Sequence, residues 1–398
     1  MLLDALRAAG STSRAELARS TGLSKPTVSA ALANLERAGL VRRTGEVSRG
    51  QGRGRAAVLY AADPTAGHVI GVDVGREWLR AAAADLDGTV VGRRDTPNTA
   101  RTAGAMVREA ARLARSVAAE AGLDWSQVVH TVVGSPGVTD PGTHRVRYAV
   151  NLPGWGRSGL FERLHAELGT GLDVMNDANL AALGEYALGA GQGSRLFAYL
   201  WVGTGLGAGV VADGKLFRGG HGAAGEIGYL PMFPLPEAAG PGGGGPEPAG
   251  TARGPGAGDP AVRGGPMEGA VSADAVVALA RSMGMPAATI RTAKDVFAAA
   301  RAGDATALRV VEREGARLAH AVAALAAVLD PELVVLGGGV GRNGDLLLAP
   351  LRACLRDLTP LRPRVVGSAL GDDAVLLGAV ARAAQTARER VFDMRRDV

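Results

Sequence analysis

The stretch of residues 172–229 constrains the fold more than any other part of the sequence. It opens with a short apolar run typical of a buried strand, and Asn176 and Asp177 follow at once, at the start of a helical pattern. A second apolar run, residues 197–202, then breaks into a glycine-rich turn at residues 203–209. Open α/β sheets bind ligands where polar groups follow the carboxyl end of a strand beside such a turn. The stretch therefore predicts an α/β domain with a ligand site at Asn176 and Asp177.

The same design occurs earlier in the chain. Residues 69–74 form an apolar strand that ends in a glycine turn, and a second strand follows at residues 78–84. Two strand–turn–strand units about 130 residues apart indicate two lobes of one duplicated architecture. The backbone N–H groups of such turns can cradle phosphates. The turn residues singled out here are Asp73, Gly75, Gly203, Thr204 and Gly205.

Length and cysteine content limit the class of protein. A chain of 398 residues is too long for one compact core, so two or three domains are expected. Its one cysteine, Cys354, excludes a disulfide within the chain and a cysteine-built zinc site, and it suits a reducing cytosol. No apolar stretch is long enough to span a membrane. We expect a cytoplasmic bacterial protein, nucleoid-associated when bound to DNA. A short first helix, with Leu2, Leu3 and Leu6 and ended by Gly10, begins at Met1, which leaves a start further upstream open.

The positive charge is concentrated at the front. Residues 1–60 carry ten basic and four acidic side chains, a net of +6 in a chain whose total is +5. A GC-rich genome would explain why Arg outnumbers Lys. It does not explain why acidic residues fail to balance the basic ones only in this segment. A basic excess confined to one small segment predicts a polyanion partner there.

The first 60 residues have the pattern of a winged helix-turn-helix. Ser13 and Glu16 form a capping-box pattern, a turn containing Gly22 follows, and Ser24 precedes a third helix with Pro26 in its first turn. The start of the third helix and the wing are predicted to contact DNA. These residues are Ser24, Lys25, Thr27, Val28, Ser29, Arg49, Arg53 and Arg55, of which Val28 also belongs to the predicted buried stripe. A three-helix protein-interaction module is the alternative.

Three motifs in this order carry a resemblance to a known family. The Asn-Asp pair at 176–177, the Gly-Thr-Gly turn at 203–205 and the Gly-Glu-Ile-Gly segment at 225–228 resemble the ROK family of repressors, open reading frames and sugar kinases. Residues 13–41 are similar to the headpiece of its repressor branch. The resemblance covers roughly the whole chain.

The resemblance implies the fold and the domain boundaries. A mainly α winged helix-turn-helix domain is expected at residues 1–65, followed at 66–398 by an α/β domain with the two-lobe, actin-like (ribonuclease H-like) sugar-kinase fold. The first lobe is expected at about 66–174 together with the C-terminal helix, and the second at about 175–370. The Gly/Pro-rich stretch 234–266 cannot bury a core and is expected to be a disordered insertion.

The resemblance also implies a sugar site. In the kinases of the family, the residue matching Asp177 removes a proton from the sugar hydroxyl, and residues matching Asn176 and Glu226 bind hydroxyls. The residues implied to bind sugar are Asn151, Asn176, Asp177, Glu226, Tyr229 and Glu268. Taken alone, Asn176 and Asp177 are better explained as caps of the helix that follows, and Glu226 in register shifts the preference to ligand contact.

Three departures from the kinase pattern point to the repressor branch. Arg76 and Glu77 stand in the first phosphate turn, where bulk and negative charge oppose ATP. Tyr229 stands where the family has a histidine ligand of zinc, and no cysteine lies nearby. The Gly/Pro-rich stretch occupies the place of the zinc loop. We therefore expect no metal and no cofactor, with the phosphate turns vestigial and ATP binding weak.

The sequence as a whole favours a transcription regulator, acting as a repressor of carbohydrate genes. A sugar or sugar phosphate in the cleft would change the spacing of two headpieces in a homodimer or tetramer on double-stranded operator DNA. An ATP-dependent sugar kinase, or a regulator with residual kinase activity, is the first alternative. The second is a regulator with a vestigial cleft that acts through a protein partner.

Overall fold

The computed structural model describes residues 1–47, 57–139, 146–147, 155, 159–169, 171–231 and 265–396. The helices are α1 (Leu2–Ala9), α2 (Arg14–Thr21), α3 (Lys25–Arg37), α4 (Ala103–Glu120), α5 (Leu160–Leu168), α6 (Asp177–Leu188), α7 (Pro266–Val271), α8 (Ala273–Ser282), α9 (Ala293–Arg301), α10 (Ala305–Leu329), α11 (Gly338–Gly341), α12 (Gly344–Leu358) and α13 (Ala374–Arg396). The strands are β1 (Thr12–Ser13), β2 (Val41–Val47), β3 (Ala57–Ala62), β4 (His68–Val74), β5 (Trp78–Asp85), β6 (Val90–Pro97), β7 (Val128–Ser135), β8 (Val138–Thr139), β9 (Val146–Arg147), β10 (Leu172–Asn176), β11 (Leu196–Val202), β12 (Leu206–Ala212), β13 (Lys215–Leu216), β14 (Leu333–Gly337) and β15 (Arg364–Gly367).

The first three helices and a small sheet form the headpiece. The backbone N–H of Ser13 donates to the Glu16 carboxylate over 3.0 Å, and the Ser13 hydroxyl accepts from the Glu16 N–H, so the predicted capping box starts α2. Ser24 caps α3, with Pro26 in the first turn. The strands pair in the order β1-β3-β2 behind these helices. The predicted helix-turn-helix is therefore confirmed.

The body consists of two lobes with the same sheet topology. The first sheet has the order β10-β7-β4-β5-β6 and the second has the order β13-β12-β11-β14-β15. In each sheet the central strand comes first in the chain. This strand, β4 or β11, pairs antiparallel with the next strand of its hairpin and parallel with a later strand. This repeated mixed sheet confirms the duplicated architecture predicted from the two strand–turn–strand units.

Helices cover both faces of each sheet. In the first lobe, α4 and α5 pack on one face around a core that includes Trp155, and α13 packs on the other. In the second lobe, α6 packs against β11 and β12, and the opposite face is covered by α7–α12 around an apolar core that includes Phe297. The burial of strands on both faces explains why they read as nearly continuous apolar runs.

Two helices connect the lobes and are called the hinge helices here. Helix α6 leaves β10 of the first lobe and packs on the second sheet, whereas α13 follows the second lobe and packs on the first sheet. They cross at Gly184 and Gly378, and a Cβ on Gly378 would lie 1.8 Å from the Leu180 carbonyl oxygen. The absence of side chains at this pair lets the two backbones approach closely.

The ends of two predicted segments lie elsewhere than expected. Pro266, placed in the insertion, is the first residue of α7, where its missing N–H costs no hydrogen bond. The charged composition of residues 388–398 predicts a frayed tail, whereas the described part, residues 388–396, continues α13, because Val391 is buried against the first lobe near Gly67. The rest of the predicted insertion, apart from Gly265, lies outside the described residues.

None of the described helices combines the length and apolar character that a membrane crossing requires.

Glu314 of α10 is an uncompensated carboxyl group in the core of the second lobe. It is fully buried, and neither carboxyl oxygen has a hydrogen-bond partner in the described part of the chain. Burial raises its pKa well above the usual value, partly opposed by the positive charge of Arg317. Since the folded pKa exceeds the unfolded one, Glu314 increasingly destabilises the fold as pH rises above about 4.5.

Replacement of Glu314 by methionine is expected to stabilise the protein. At pH 8 the free energy of unfolding should rise by about 1–3 kcal/mol, because an apolar side chain of similar size removes the desolvation cost. The gain should shrink at pH 5, where less of the carboxyl group ionises on unfolding. Urea unfolding at both pH values measures it, with the exposed Glu312→Met as the control. A loss of stability at pH 8 would show that Glu314 has a partner that supports the fold.

Candidate functional site

A cleft between the two lobes contains most of the predicted sugar-site residues. Its cavity has a volume of about 360 Å³ and lies where β4, β10 and β11 end. Its walls include both glycine turns, the start of α6, residues 226–229, Glu268 of α7 and the start of α9. The predicted residues that line it are Asp73, Gly75, Asn176, Asp177, Gly203, Thr204, Gly205, Glu226, Tyr229 and Glu268. Asn151 lies outside the described residues.

Asp177 lines the cleft as the first residue of α6. Its Oδ1 accepts a hydrogen bond from the backbone N–H of Ala178 over 2.8 Å. Desolvation, followed by the negative charges of Asp73 and Glu226, raises the pKa of Asp177 to about 7. A carboxyl group that titrates near neutrality can accept a proton from a hydroxyl group or hydrogen-bond it.

Two glutamates form the opposite wall. Desolvation and the charge of Glu268 raise the pKa of Glu226 to about 7. Glu268 reaches back from α7 and its Oε2 accepts from the backbone N–H of Leu206 over 3.0 Å, which holds α7 against the second sheet. Tyr229 follows Glu226 by one short helical turn and is 41% exposed at the cleft. The fold therefore brings Glu226, Tyr229 and Glu268 together although 38 residues lie between the last two.

Asn176 both caps α6 and faces the cleft. Its Oδ1 accepts from the backbone N–H of Asn179 over 3.0 Å, and its Nδ2 donates to the Gly137 carbonyl over 3.1 Å. The amide can donate two hydrogen bonds, so one donor stays available to a ligand in the cleft. The capping interpretation is thus correct for Asn176, and the sugar-binding role stays a prediction.

The first glycine turn carries an ion pair across the cleft. Lys294, at the start of α9 in the second lobe, lies 3.2 Å from a carboxylate oxygen of Glu77 in the first lobe. Both side chains are about 70% exposed, so the pair is weak. The positive charge of Lys294 still offsets the negative charge of Glu77, which was predicted to oppose phosphate binding at this turn. Below it, Arg80 binds Asp73 over 3.0 Å, and desolvation nevertheless raises the pKa of Asp73 to about 6.

Sequence reasoning missed several residues of the outer cleft. Trp78, Trp201, Lys294 and Arg342 line the cavity but belong to no recognised motif. Lys294 follows a helix cap at Thr292, which is a purely structural signal. Its place opposite Glu77 depends on how the lobes meet, and local sequence does not encode that.

The predicted DNA-contacting residues at the start of α3 divide into two groups. Lys25 and Thr27 are exposed, Ser29 is half-buried, and the Ser24 hydroxyl lies 2.7 Å from that of Thr27. Val28 is fully buried in the headpiece core, so the prediction that it contacts DNA is wrong. Val28 lies on the inner face of α3, where its side chain packs against the other headpiece helices. Arg49, Arg53 and Arg55 lie outside the described residues.

The raised pKa values predict how stability depends on pH. Asp73, Asp177 and Glu226 all have folded pKa values above their unfolded ones, so their neutral forms favour the fold below about pH 4. That contribution to the free energy of unfolding is lost as the pH rises through the folded pKa values of about 6 and about 7. We expect the free energy of unfolding of the ligand-free protein to fall by about 1–3 kcal/mol between pH 5 and pH 8. Asp177→Asn should flatten this curve, and an unchanged slope in that variant would contradict the assignment.

The chain was compared with families of known proteins. The profile of the MarR family matches residues 1–54, and that of the ROK family matches residues 69–386. The first covers the three helices and the first two strands of the headpiece, and the second covers most of both lobes.

Individual relatives include kinases and repressors. A glucokinase of Halalkalibacterium halodurans is 33% identical over 328 residues, which is 78% of this chain and 92% of that protein. A xylose repressor of Caldicellulosiruptor bescii is 27% identical over 380 residues, 93% of this chain and 90% of that protein. The crystal structure of a ROK family transcriptional regulator, a homologue of the E. coli MLC protein, superimposes with a TM-score of 0.75 at 22% identity and covers 99% of this chain and 96% of that one.

Proposed function

Because the chain belongs to the ROK family, we propose that it is a DNA-binding transcription regulator, acting as a repressor of carbohydrate genes, whose cleft binds a sugar or sugar phosphate. The observation that carries this proposal is the joining of a helix-turn-helix headpiece to an intact carboxylate-lined cleft in one chain. The alignment with the xylose repressor covers 93% of the chain, so it includes residues of both parts. The glucokinase aligns over 78% of the chain.

The cleft has the chemistry of a carbohydrate site. Asp177, Glu226 and Glu268 offer carboxylate oxygens as hydrogen-bond acceptors, and Asn176 and Tyr229 offer donors. Sugar hydroxyl groups both donate and accept, so such a ring of groups can satisfy several of them. The exposed Lys25 and Thr27 of α3 would face base edges, while the basic headpiece holds the phosphate backbone. A homodimer or tetramer would present two headpieces to a two-fold operator.

Two measurements test this proposal in turn. Thermal-shift screening against sugars and sugar phosphates should give a hit, because a ligand that binds the native state alone raises the melting temperature. Electrophoretic mobility shift with DNA from the gene's own upstream region should then give a complex that the hit strengthens or weakens. No complex at moderate salt would contradict the DNA-binding role, and no carbohydrate hit would favour a regulator that acts through a protein partner.

A sugar kinase is the second candidate, and one observation favours it. Asp177 has a pKa of about 7 in the cleft beside the Gly203–Gly205 turn, as a general base for phosphoryl transfer requires. Against it, Arg76 and Glu77 occupy the first phosphate turn, and Glu77 pairs with Lys294 across the cleft. A coupled assay of ADP release over a hexose panel separates the two functions. Turnover that Asp177→Ala abolishes would establish the kinase.

A further inference from the structure

A second cavity lies between the hinge helices, away from the cleft. It has a volume of about 330 Å³ and is called the hinge cavity here. Its walls come from α6, α13, the β5–β6 turn at Asp87 and Gly88, and Gly214 after β12. Its size is within the range of cavities that hold small-molecule ligands.

The hinge cavity has an apolar floor and a cationic rim. Leu183 and Tyr186 of α6 and Val380 of α13 supply apolar surface, and Arg382 and Arg388 of α13 supply positive charge. Tyr186 is held in place by stacking on Phe197, with ring centroids 6.3 Å apart and an interplanar angle of 8°. A cavity of this composition suits a ligand with an apolar part and an anionic group.

The arginines of the rim are poorly compensated. Arg382 donates to Gln385 over 3.2 Å, while its Nε is buried without a hydrogen-bond partner. Within the described part of the chain, the Arg388 side chain has no ion pair or hydrogen bond. Asp87 is the acidic residue that lines the cavity, and it is exposed.

Further arginines on neighbouring elements add to this positive charge. Burial, and next the charge of Arg388, lower the pKa of Arg7 in headpiece helix α1, whose ion pair with Asp4 is long at 3.9 Å. Burial and the charge of Arg382 likewise lower the pKa of Arg218. Asp173 partly offsets the charge of Arg218 and Arg382, but it is also bound by His130 over 3.2 Å. Arg7 and Arg388 therefore repel each other, as do Arg218 and Arg382, where α13 lies beside the headpiece and the segment after β13.

We propose that the hinge cavity binds a small organic anion, with its phosphate or carboxylate group at Arg382 and Arg388 and its apolar part on the floor. Arginine is suited to this task because its planar guanidinium binds phosphate and carboxylate groups with two parallel hydrogen bonds. A bound anion reduces the repulsion among the arginines. It also contacts both hinge helices, so it stabilises the joint between the lobes and beside the headpiece.

Thermal unfolding of the full-length protein tests the proposal with four probes. Phenyl phosphate and benzoate carry both an apolar ring and an anionic group, phenol carries the ring alone, and inorganic phosphate carries the charge alone. Phenyl phosphate or benzoate should raise the melting temperature saturably at up to about 10 mM, and phenol and phosphate should do so much less. The probe that acts more strongly identifies the preferred anionic group. No saturable rise with either organic anion would overturn the proposal.

Matched variants assign the effect to the cavity. Arg388→Gln should weaken binding of the effective probe at least about tenfold, because it removes one of two charged partners. Ala381→Leu should block binding while keeping the charge, since residue 381 lines the cavity. Arg94→Gln removes an exposed arginine elsewhere and should bind as the wild type does. Binding should persist in Asp177→Asn, which separates this site from the cleft, and equal binding by Arg388→Gln and wild type would refute the assignment.

Discussion

Replacement of Asp177 by asparagine is expected to reduce affinity for the sugar roughly 10- to 100-fold, because each hydrogen bond to a charged group contributes about 1.5–3 kcal/mol. Asparagine has nearly the same shape, so the cleft and the cap of α6 stay in place. The variant still offers one acceptor oxygen, but it has lost the charge that strengthens hydrogen bonds from hydroxyl groups. Isothermal titration with the sugar found by screening measures the effect.

The same variant should keep its affinity for DNA when no sugar is present. The headpiece is remote from Asp177 in sequence, and none of its described residues lines the cleft. A regulator that still binds its operator but responds only to much higher sugar concentrations is the expected phenotype. Glu312→Gln, an exposed carboxylate on α10, is the matched control and should bind sugar normally. Wild-type sugar affinity in Asp177→Asn would show that the ligand binds elsewhere.

A valine at Gly378 is expected to disrupt the crossing of the hinge helices. A Cβ there would lie 1.8 Å from the Leu180 carbonyl oxygen and 2.9 Å from the backbone nitrogen of Gly184, so α6 and α13 must move apart. The atoms in the way are backbone, which cannot rotate aside as a side chain can. Overpacking in cores costs about 1–3 kcal/mol and sometimes more, and we expect a loss of at least about 3 kcal/mol here.

Denaturant unfolding of Gly378→Val measures this loss. Gly104→Ala, in α4, is the control for a helical glycine, because a Cβ there meets its nearest atom at an ordinary 3.6 Å. That substitution should leave stability unchanged or improve it slightly, since alanine favours helix. A Gly378→Val protein as stable as the wild type would show that the helices do not depend on this close approach.

The fold could be predicted from local patterns in the sequence. The caps at Ser13 and Ser24 and the apolar strand beginning near Val69 each depend on residues close to one another in the chain. The duplication of the two lobes followed from the repeat of strand, glycine turn and strand. The helix crossing at Gly184 and Gly378 did not, because it depends on two glycines far apart in the chain that carry no local signal.

The site could be predicted only in part, for the same reason. Asp177 and Glu226 lie in motifs, and the structure brings both to the cleft. Lys294 reaches the cleft only because the lobes meet there. Outside the site, the sequence likewise gave no sign that Glu314 is buried in the core of the second lobe. Val28 shows the limit of position-based reasoning on a helix, since neighbours of Lys25 and Thr27 point inward as well as outward.

Coupling between the cleft and the headpiece is central to the proposed regulation. Fluorescence anisotropy of labelled upstream DNA, titrated with the protein with and without saturating sugar, measures that coupling directly. We expect sugar to change the operator Kd of the wild type at least about fivefold, and to leave that of Asp177→Asn unchanged at the same sugar concentration. A sugar that binds the wild type by calorimetry and yet leaves its operator Kd unchanged would contradict the account.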